Sequence, residues 1–252
     1  MNLLALRQTP LPVLLTLRLR NRPTLTSMNL LSTQLSKGKR SNLKNEKSYF
    51  IGSDKYLIPR LLEQSDVALT LFARQATHRL GQYADNQRVS LIDGNWNNPA
   101  DLTAAIAGQE IVYLATGHFT KANQQVVTAM KRNGVARLIV AGGLGIYDEV
   151  TGEFGRWNAR MMGDYTEIKR AAKVIDDSGL NYTFLRMAWL YNNDQHDAYE
   201  VIPQGEPFKD TQVTREAVAK LVANIVRNPD IYQRTSIGVA EPNTAWNKPA
   251  FY

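Results

Sequence analysis

Residues 101–117, DLTAAIAGQEIVYLATG, and 135–155, VARLIVAGGLGIYDEVTGEFG, decide the fold. In the first stretch a helix-length segment, 100–107, is closed by Gly108 and runs into IVYLA (111–115). That apolar run is too short for a helix and is followed at once by Thr116, Gly117 and His118. In the second, 138–141 is another such run, ending in Gly142, Gly143 and Gly145. Between the two, Thr120 is predicted to cap a helix over 121–133 that Gly134 terminates in the left-handed conformation. Strand, helix and strand with short connections form the pattern of parallel strands joined by a crossover helix.

The same alternation extends outward. Upstream, SYFIG (48–52) reads as a first strand, 55–64 as a helix in which Pro59 is tolerable only near the first turn, 67–73 as a second strand and 89–92 as a short third. Downstream, 165–177 is a helix ended by Gly179, 182–186 a strand, 215–227 a helix capped by Thr214 and 235–239 a late strand. No internal repeat is present. Right-handed crossovers make a doubly wound parallel sheet the natural assembly, a three-layer α/β/α domain over 48–252 behind an irregular N-terminal tail, 1–47.

Composition narrows the chemistry. The 252 residues include no cysteine, which excludes disulfides, thiolate metal sites and cysteine nucleophiles. The histidines, His78, His118 and His196, are too far apart in sequence for a helical metal pair, so no metal is expected. No apolar run reaches the roughly 18 residues that span a bilayer, and no membrane partner is expected. The formal net charge of +7 invites a nucleic-acid reading. However, Arg7, Arg18, Arg20, Arg22, Lys37, Lys39, Arg40 and Lys44 precede the first acid, Glu46. The 22 basic residues after them face 23 acidic ones, so 46–252 carries a net charge of −1. The basic excess belongs to the tail. That tail reads as a segment foreign to the fold with Met28 as another start, as an organellar transit peptide, or as a polybasic arm. It holds no aromatic before Tyr49 with which to stack bases, and no nucleic acid is expected. The cytoplasm is the expected compartment, or an organelle if the tail is a transit peptide.

In such a sheet, ligands bind beyond the carboxyl ends of the strands. Gly52 and Ser53, Arg74, Asp93, Thr116 and Gly117, and Gly142 and Gly143 are therefore the candidate cofactor-binding residues. Glycines let a backbone approach phosphate, and Asp93 can accept from an adenine amino group. Arg74 is either the partner of a ribose 2′-phosphate, favouring NADP(H) over NAD(H), or a solvated strand-end arginine.

At these residues the body, 48–247, resembles an atypical short-chain dehydrogenase/reductase of the NmrA-like, NAD(P)H-binding type. The likeness is carried by LLEQSDVALTLFAR (61–74), DLTAAIAGQEIVYLATG (101–117), VARLIVAGGLGIYDEVTGEFG (135–155), KRAAKVIDDSGLNYTFLRMAWLYN (169–192) and GEPFKDTQVTREAVAKLV (205–222). It implies a Rossmann fold and a bound dinucleotide, NADP with NAD possible. It also implies a tyrosine general acid with a lysine four residues on, a pattern that Tyr165 and Lys169 match and that places both on one helix face. The chain departs from the pattern at three points. The glycine-rich turn G-x-x-G-x-x-[GA] is represented by Gly52 alone, which predicts weak or absent dinucleotide binding. Gly142 and Gly143 stand where a carbonyl-orienting serine belongs. Met187, not proline, follows Arg186.

Tyr147 is an alternative proton donor, and His118 either reaches the nicotinamide or is structural. Trp189, Tyr191 and the loop 191–204 are candidates for a substrate wall, although the same aromatics also suit core cover. The expected function is hydride transfer from NAD(P)H to a small carbonyl, quinone or flavin-like acceptor, with a small-molecule substrate as partner. The alternatives are a non-catalytic NAD(P)-sensing regulator and a chain that folds but binds nothing.

Overall fold

The computed structural model describes residues 13–19, 54–64 and 66–252. Eight strands form one sheet in the order β3-β2-β1-β4-β5-β6-β10-β8. They are β1 (Leu14–Leu19), β2 (Val67–Ala73), β3 (Val89–Asp93), β4 (Ile111–Leu114), β5 (Arg137–Gly143), β6 (Asn181–Met187), β8 (Glu200–Ile202) and β10 (Thr235–Ala240). A short parallel pair, β7 (Trp189–Tyr191) and β9 (Gln212–Thr214), stands beside it. Adjacent pairs are parallel from β2 to β3 and from β4 through β5 and β6 to β10. The doubly wound expectation holds.

Helices cover both faces. α1 (Asp54–Glu63) and α7 (Arg215–Arg227) pack on one, joined by the Arg60–Glu216 ion pair and by Gln64 Nε2 donating to the Ala223 carbonyl at 3.1 Å. α3 (Pro99–Ile106), α4 (Thr120–Arg132) and α6 (Thr166–Asp176) pack on the other. There the buried Asn123 side chain donates to the carbonyls of Gly117 and Ala171, both at 2.9 Å, fixing α4 against α6. The short α2 (Ala76–Leu80) follows β2, and α5 (Gly152–Met162) follows β5. Strands buried on both faces read as continuous apolar runs, which is why 67–73, 111–115 and 138–141 were legible. Thr214 caps α7 as expected, accepting from the Ala217 N–H at 3.0 Å.

Four expectations need correction or fall outside the description. First, the segment 1–47 was set apart from the fold, yet Leu14–Leu19 fills the centre of the sheet. It pairs with β2 on one side and β4 on the other, antiparallel to both. Val13, Leu15 and Leu17 enter one core, while Leu14 enters the other and Thr16 donates to the Ala105 carbonyl at 2.9 Å. This run is apolar on both faces, with the charge of Arg18 left exposed near its end. It satisfies two strand edges that would otherwise lie unpaired in the interior. Second, the strand expected at 48–52, with Gly52 and Ser53, lies outside the described residues. Third, Thr120 does not cap α4. Phe119 holds the cap position, and the Thr120 N–H is satisfied instead by Glu167 Oε1 of α6 at 2.9 Å. Fourth, Pro59 sits in the second turn of α1, where it removes an N–H from the helix ladder, and the helix continues to Glu63 under its packing on α7.

Candidate active site

The direction of β1 divides the crevice. Leu14 lies opposite Phe72 and Leu114, near the carboxyl ends of β2 and β4, whereas Leu19 lies opposite Val67 at the far edge. β1 thus presents its amino end to the crevice, where a parallel strand would deliver a phosphate-binding turn. Next to it, Arg74 is exposed after β2. Asp93, at the end of β3, turns its carboxylate to α2, accepting from the Ala76 N–H at 2.6 Å and the Thr77 hydroxyl at 3.0 Å. Desolvation pushes the Asp93 carboxyl up, but these hydrogen bonds outweigh it and hold the group below its ordinary value. In this arrangement Asp93 caps a helix.

The β4–β5–β6 side is built differently. Thr116 is buried with its hydroxyl unpartnered, and the buried His118 Nε2 and Thr120 Oγ1 likewise have no hydrogen-bond partner among the described residues. Desolvation lowers the His118 pKa to about 4. The Gly117 N–H donates to the Ala141 carbonyl at 2.7 Å, and a Cβ on Gly117 would meet Val140 Cγ1 at 2.4 Å. Gly117 lets the end of β4 pack on Val140 and Phe184, while the unpartnered hydroxyls and imidazole nitrogen beside it are groups that the ribose and amide of a polar ligand would complete. On this side the residues fit a dinucleotide.

Tyr165 immediately precedes α6 and is half-buried. Its ring lies against Gly145, with the hydroxyl 2.9 Å from the position of a Cβ there, and Asn158 Nδ2 donates to that hydroxyl at 2.6 Å. Asn158 is buried and accepts from Trp189 Nε1 at 2.9 Å, so β7 and α5 together fix the tyrosine. Burial is the chief cause that pushes the phenol pKa up. The Asn158 hydrogen bond opposes it, and the Glu149 and Asp148 charges add to it. Lys169 lies one turn on, its N–H bonded to the Tyr165 carbonyl at 2.9 Å and its Nζ paired with Asp148 at 2.7 Å.

The loop after β5 is locked from beneath. Glu149 accepts from the N–H groups of Gly145 and Tyr147, each at 2.9 Å, and pairs with the fully buried Arg186 at 3.0 Å. Arg186 also donates to the carbonyls of Ile202 and Pro203. Tyr147 turns its hydroxyl to Asp176, at 2.9 Å from Oδ2, and so is engaged away from the proton-donor role. Beyond Tyr165, Trp157, Trp189 and Tyr252 meet edge-on with ring centroids 4.9–5.2 Å apart. Tyr191 stacks obliquely on Phe251 at 5.6 Å.

The structure therefore gathers Thr116, Gly117, Gly142, Gly143, Tyr165 and Lys169 around the β4–β5 end. Arg74 and Asp93 stand at the β2–β3 end. Asn158, Glu149 and Asp148 were missed. Asn158 could have been found from Phe154, Trp157 and Asn158, whose helical spacing marks a buried face of α5.

A family model described as NAD(P)H-binding matches residues 54–229. A short-chain dehydrogenase/reductase of the wide type from Veillonella parvula, in complex with NADP, is 33% identical, with a TM-score of 0.75 over 79% of this chain and 94% of that one. A Rossmann-fold NAD(P)-binding family protein from Shigella flexneri is also 33% identical, with a TM-score of 0.65 over 80% and 94%. An anaerobillin reductase from Escherichia coli O157:H7, at 18% identity and a TM-score of 0.64 over 81% and 97%, shares the fold. No curated protein sequence matches the chain. The chain belongs to the NAD(P)H-binding family and has the Rossmann-like fold of short-chain dehydrogenases/reductases. Among the described residues, no helix is long and apolar enough to cross a membrane.

Proposed function

We propose that the protein is an NADP(H)-dependent reductase of a small carbonyl, quinone or flavin-like acceptor, acting in the cytoplasm. The observation that carries this reading is the Tyr165 hydroxyl. It is half-buried, kept protonated, fixed by Asn158 and set against Gly145 at the end of β5.

A dinucleotide, when bound, would supply a hydride. Tyr165 supplies the proton that the reduced oxygen must gain; burial makes its phenol a weaker acid, which the Lys169 charge would offset once released from Asp148. Thr116 and Thr120 offer unpartnered hydroxyls to the cofactor. Arg74, exposed beyond β2, offers a charge to a 2′-phosphate, which supports NADP over NAD. Lys169 can steady the ribose only after exchanging Asp148 for it.

A second reading, a dinucleotide sensor without turnover, is favoured by one observation: Lys169 is already engaged by Asp148. NADPH oxidation against a panel of quinones, with Tyr165→Phe and Lys169→Ala as controls, separates the two. The reductase reading expects turnover that both variants impair. NADPH binding with no turnover supports the sensor.

A further inference from the structure

Gly142 and Gly143 are not equivalent. A Cβ on Gly142 would lie 2.1 Å from the Phe184 ring, so no side chain fits there. A Cβ on Gly143 has room. The only atom within 4 Å of it among the described residues, the adjoining residues aside, is His118 Nε2, at 3.5 Å. The imidazole thus reaches, from β4, the volume that a side chain at 143 would occupy on β5. Its Nε2 is enclosed and without a hydrogen-bond partner. A buried polar atom left unpaired costs stability unless a ligand completes it.

We propose that His118 is a catalytic residue that orients the acceptor, its Nε2–H donating a hydrogen bond to the substrate oxygen in place of the hydroxyl that Gly143 lacks. Burial keeps the imidazole neutral at physiological pH, and a neutral imidazole in the Nε2–H tautomer donates without charge. Tyr165 and His118 then approach the acceptor from two sides of the β5 end, beside Gly145 and Gly143 respectively. The proton moves from Tyr165, and His118 holds the oxygen without itself changing protonation. The steric argument also yields a complementary variant: a serine at 143 would put its side chain beside the space vacated by a smaller residue at 118.

The inference rests on the reductase reading, and its test keeps the two apart. With the full-length chain, NADPH binding is read by fluorescence and turnover by NADPH oxidation with phenanthrenequinone. His118→Ala should lower kcat by about a hundredfold and leave NADPH affinity within about twofold. Adding Gly143→Ser to that variant should restore most of the loss. Turnover of His118→Ala at the wild-type rate, or a loss that Gly143→Ser does not repair, overturns the proposal. Independently of turnover, isotope-labelled histidine allows the His118 Nε2 resonance to be followed by NMR as phenanthrenequinone is added with NADP+. Movement of that resonance supports the contact and a stationary resonance overturns it. Should the wild type oxidise no NADPH, the reductase reading alone fails, and the resonance still decides the role of His118.

Discussion

The two ends of the crevice contrast. At the β4–β5 end, parallel strands deliver Thr116, Gly117, Gly142 and Gly143 to a site backed by Tyr165 and by the buried Glu149–Arg186 pair. At the β1–β2 end, the central strand runs the other way and brings Leu14, not a glycine turn, to the crevice. Backbone N–H groups at a helix N-terminus are the usual grip on a pyrophosphate. If Tyr165 is the proton donor, a chain that shows no such turn beside its central strand among the described residues should fill its cofactor site poorly yet turn over the filled site at a normal rate. Chemistry and cofactor affinity are therefore expected to separate, and each half can be perturbed alone.

The largest effect is expected on the chemical side. Tyr165→Phe should lower kcat by about 10²–10³-fold, the usual contribution of a positioned general acid, and leave the NADPH dissociation constant unchanged. Equal loss in both quantities would place Tyr165 in binding. On the other side, Leu15→Ala should cost about 2–5 kcal/mol in denaturant unfolding, because Leu15 is fully buried between β2 and β4. A variant as stable as the wild type would remove β1 from the sheet. Replacing residues 1–53 by a parallel strand ending in a glycine-rich turn should tighten NADPH binding by about tenfold or more, since several amide contacts of roughly 0.5–1.5 kcal/mol each would be gained. Unaltered affinity in that chimera would mean the reversed strand is no handicap. Arg74→Glu should reduce the preference for NADPH over NADH several-fold, read as the ratio of kcat/KM values.

The effect that is smallest near neutral pH, because it emerges only on acidification, concerns His118. The pKa of His118 falls to about 4 from the ordinary 6.5 on burial, so the unfolded chain takes up a proton at a pH where the native one does not. The associated stability is present above pH 6.5 and is lost as the pH falls toward 4. His118→Gln should flatten that part of the pH–Tm curve.

Much of the contrast was legible in the residues, but unevenly. The parallel strands could be read because burial on both faces leaves unbroken apolar runs, and α7 because Thr214 caps an amphipathic stretch. Leu14–Leu19 obeys the same rule, yet eight basic residues and no acid before Glu46 gave its surroundings the look of a solvated tail. Arg18 needs only one exposed position, and the leucines around it are core. α5 escaped because Gly152 and Gly155 interrupt its first turns. With it went Asn158, which holds Tyr165. Asp93 was read for its place after a strand. Its carboxylate caps α2, a helix too short to be anticipated from periodicity.

The separation of chemistry from affinity is tested most directly by the NADPH saturation curve of quinone reduction, recorded for the wild type and for Tyr165→Phe. The expected result is a half-saturation point far above the micromolar range, and a plateau that Tyr165→Phe lowers without moving that point. Half-saturation at low-micromolar NADPH, or no oxidation at any concentration, would contradict it.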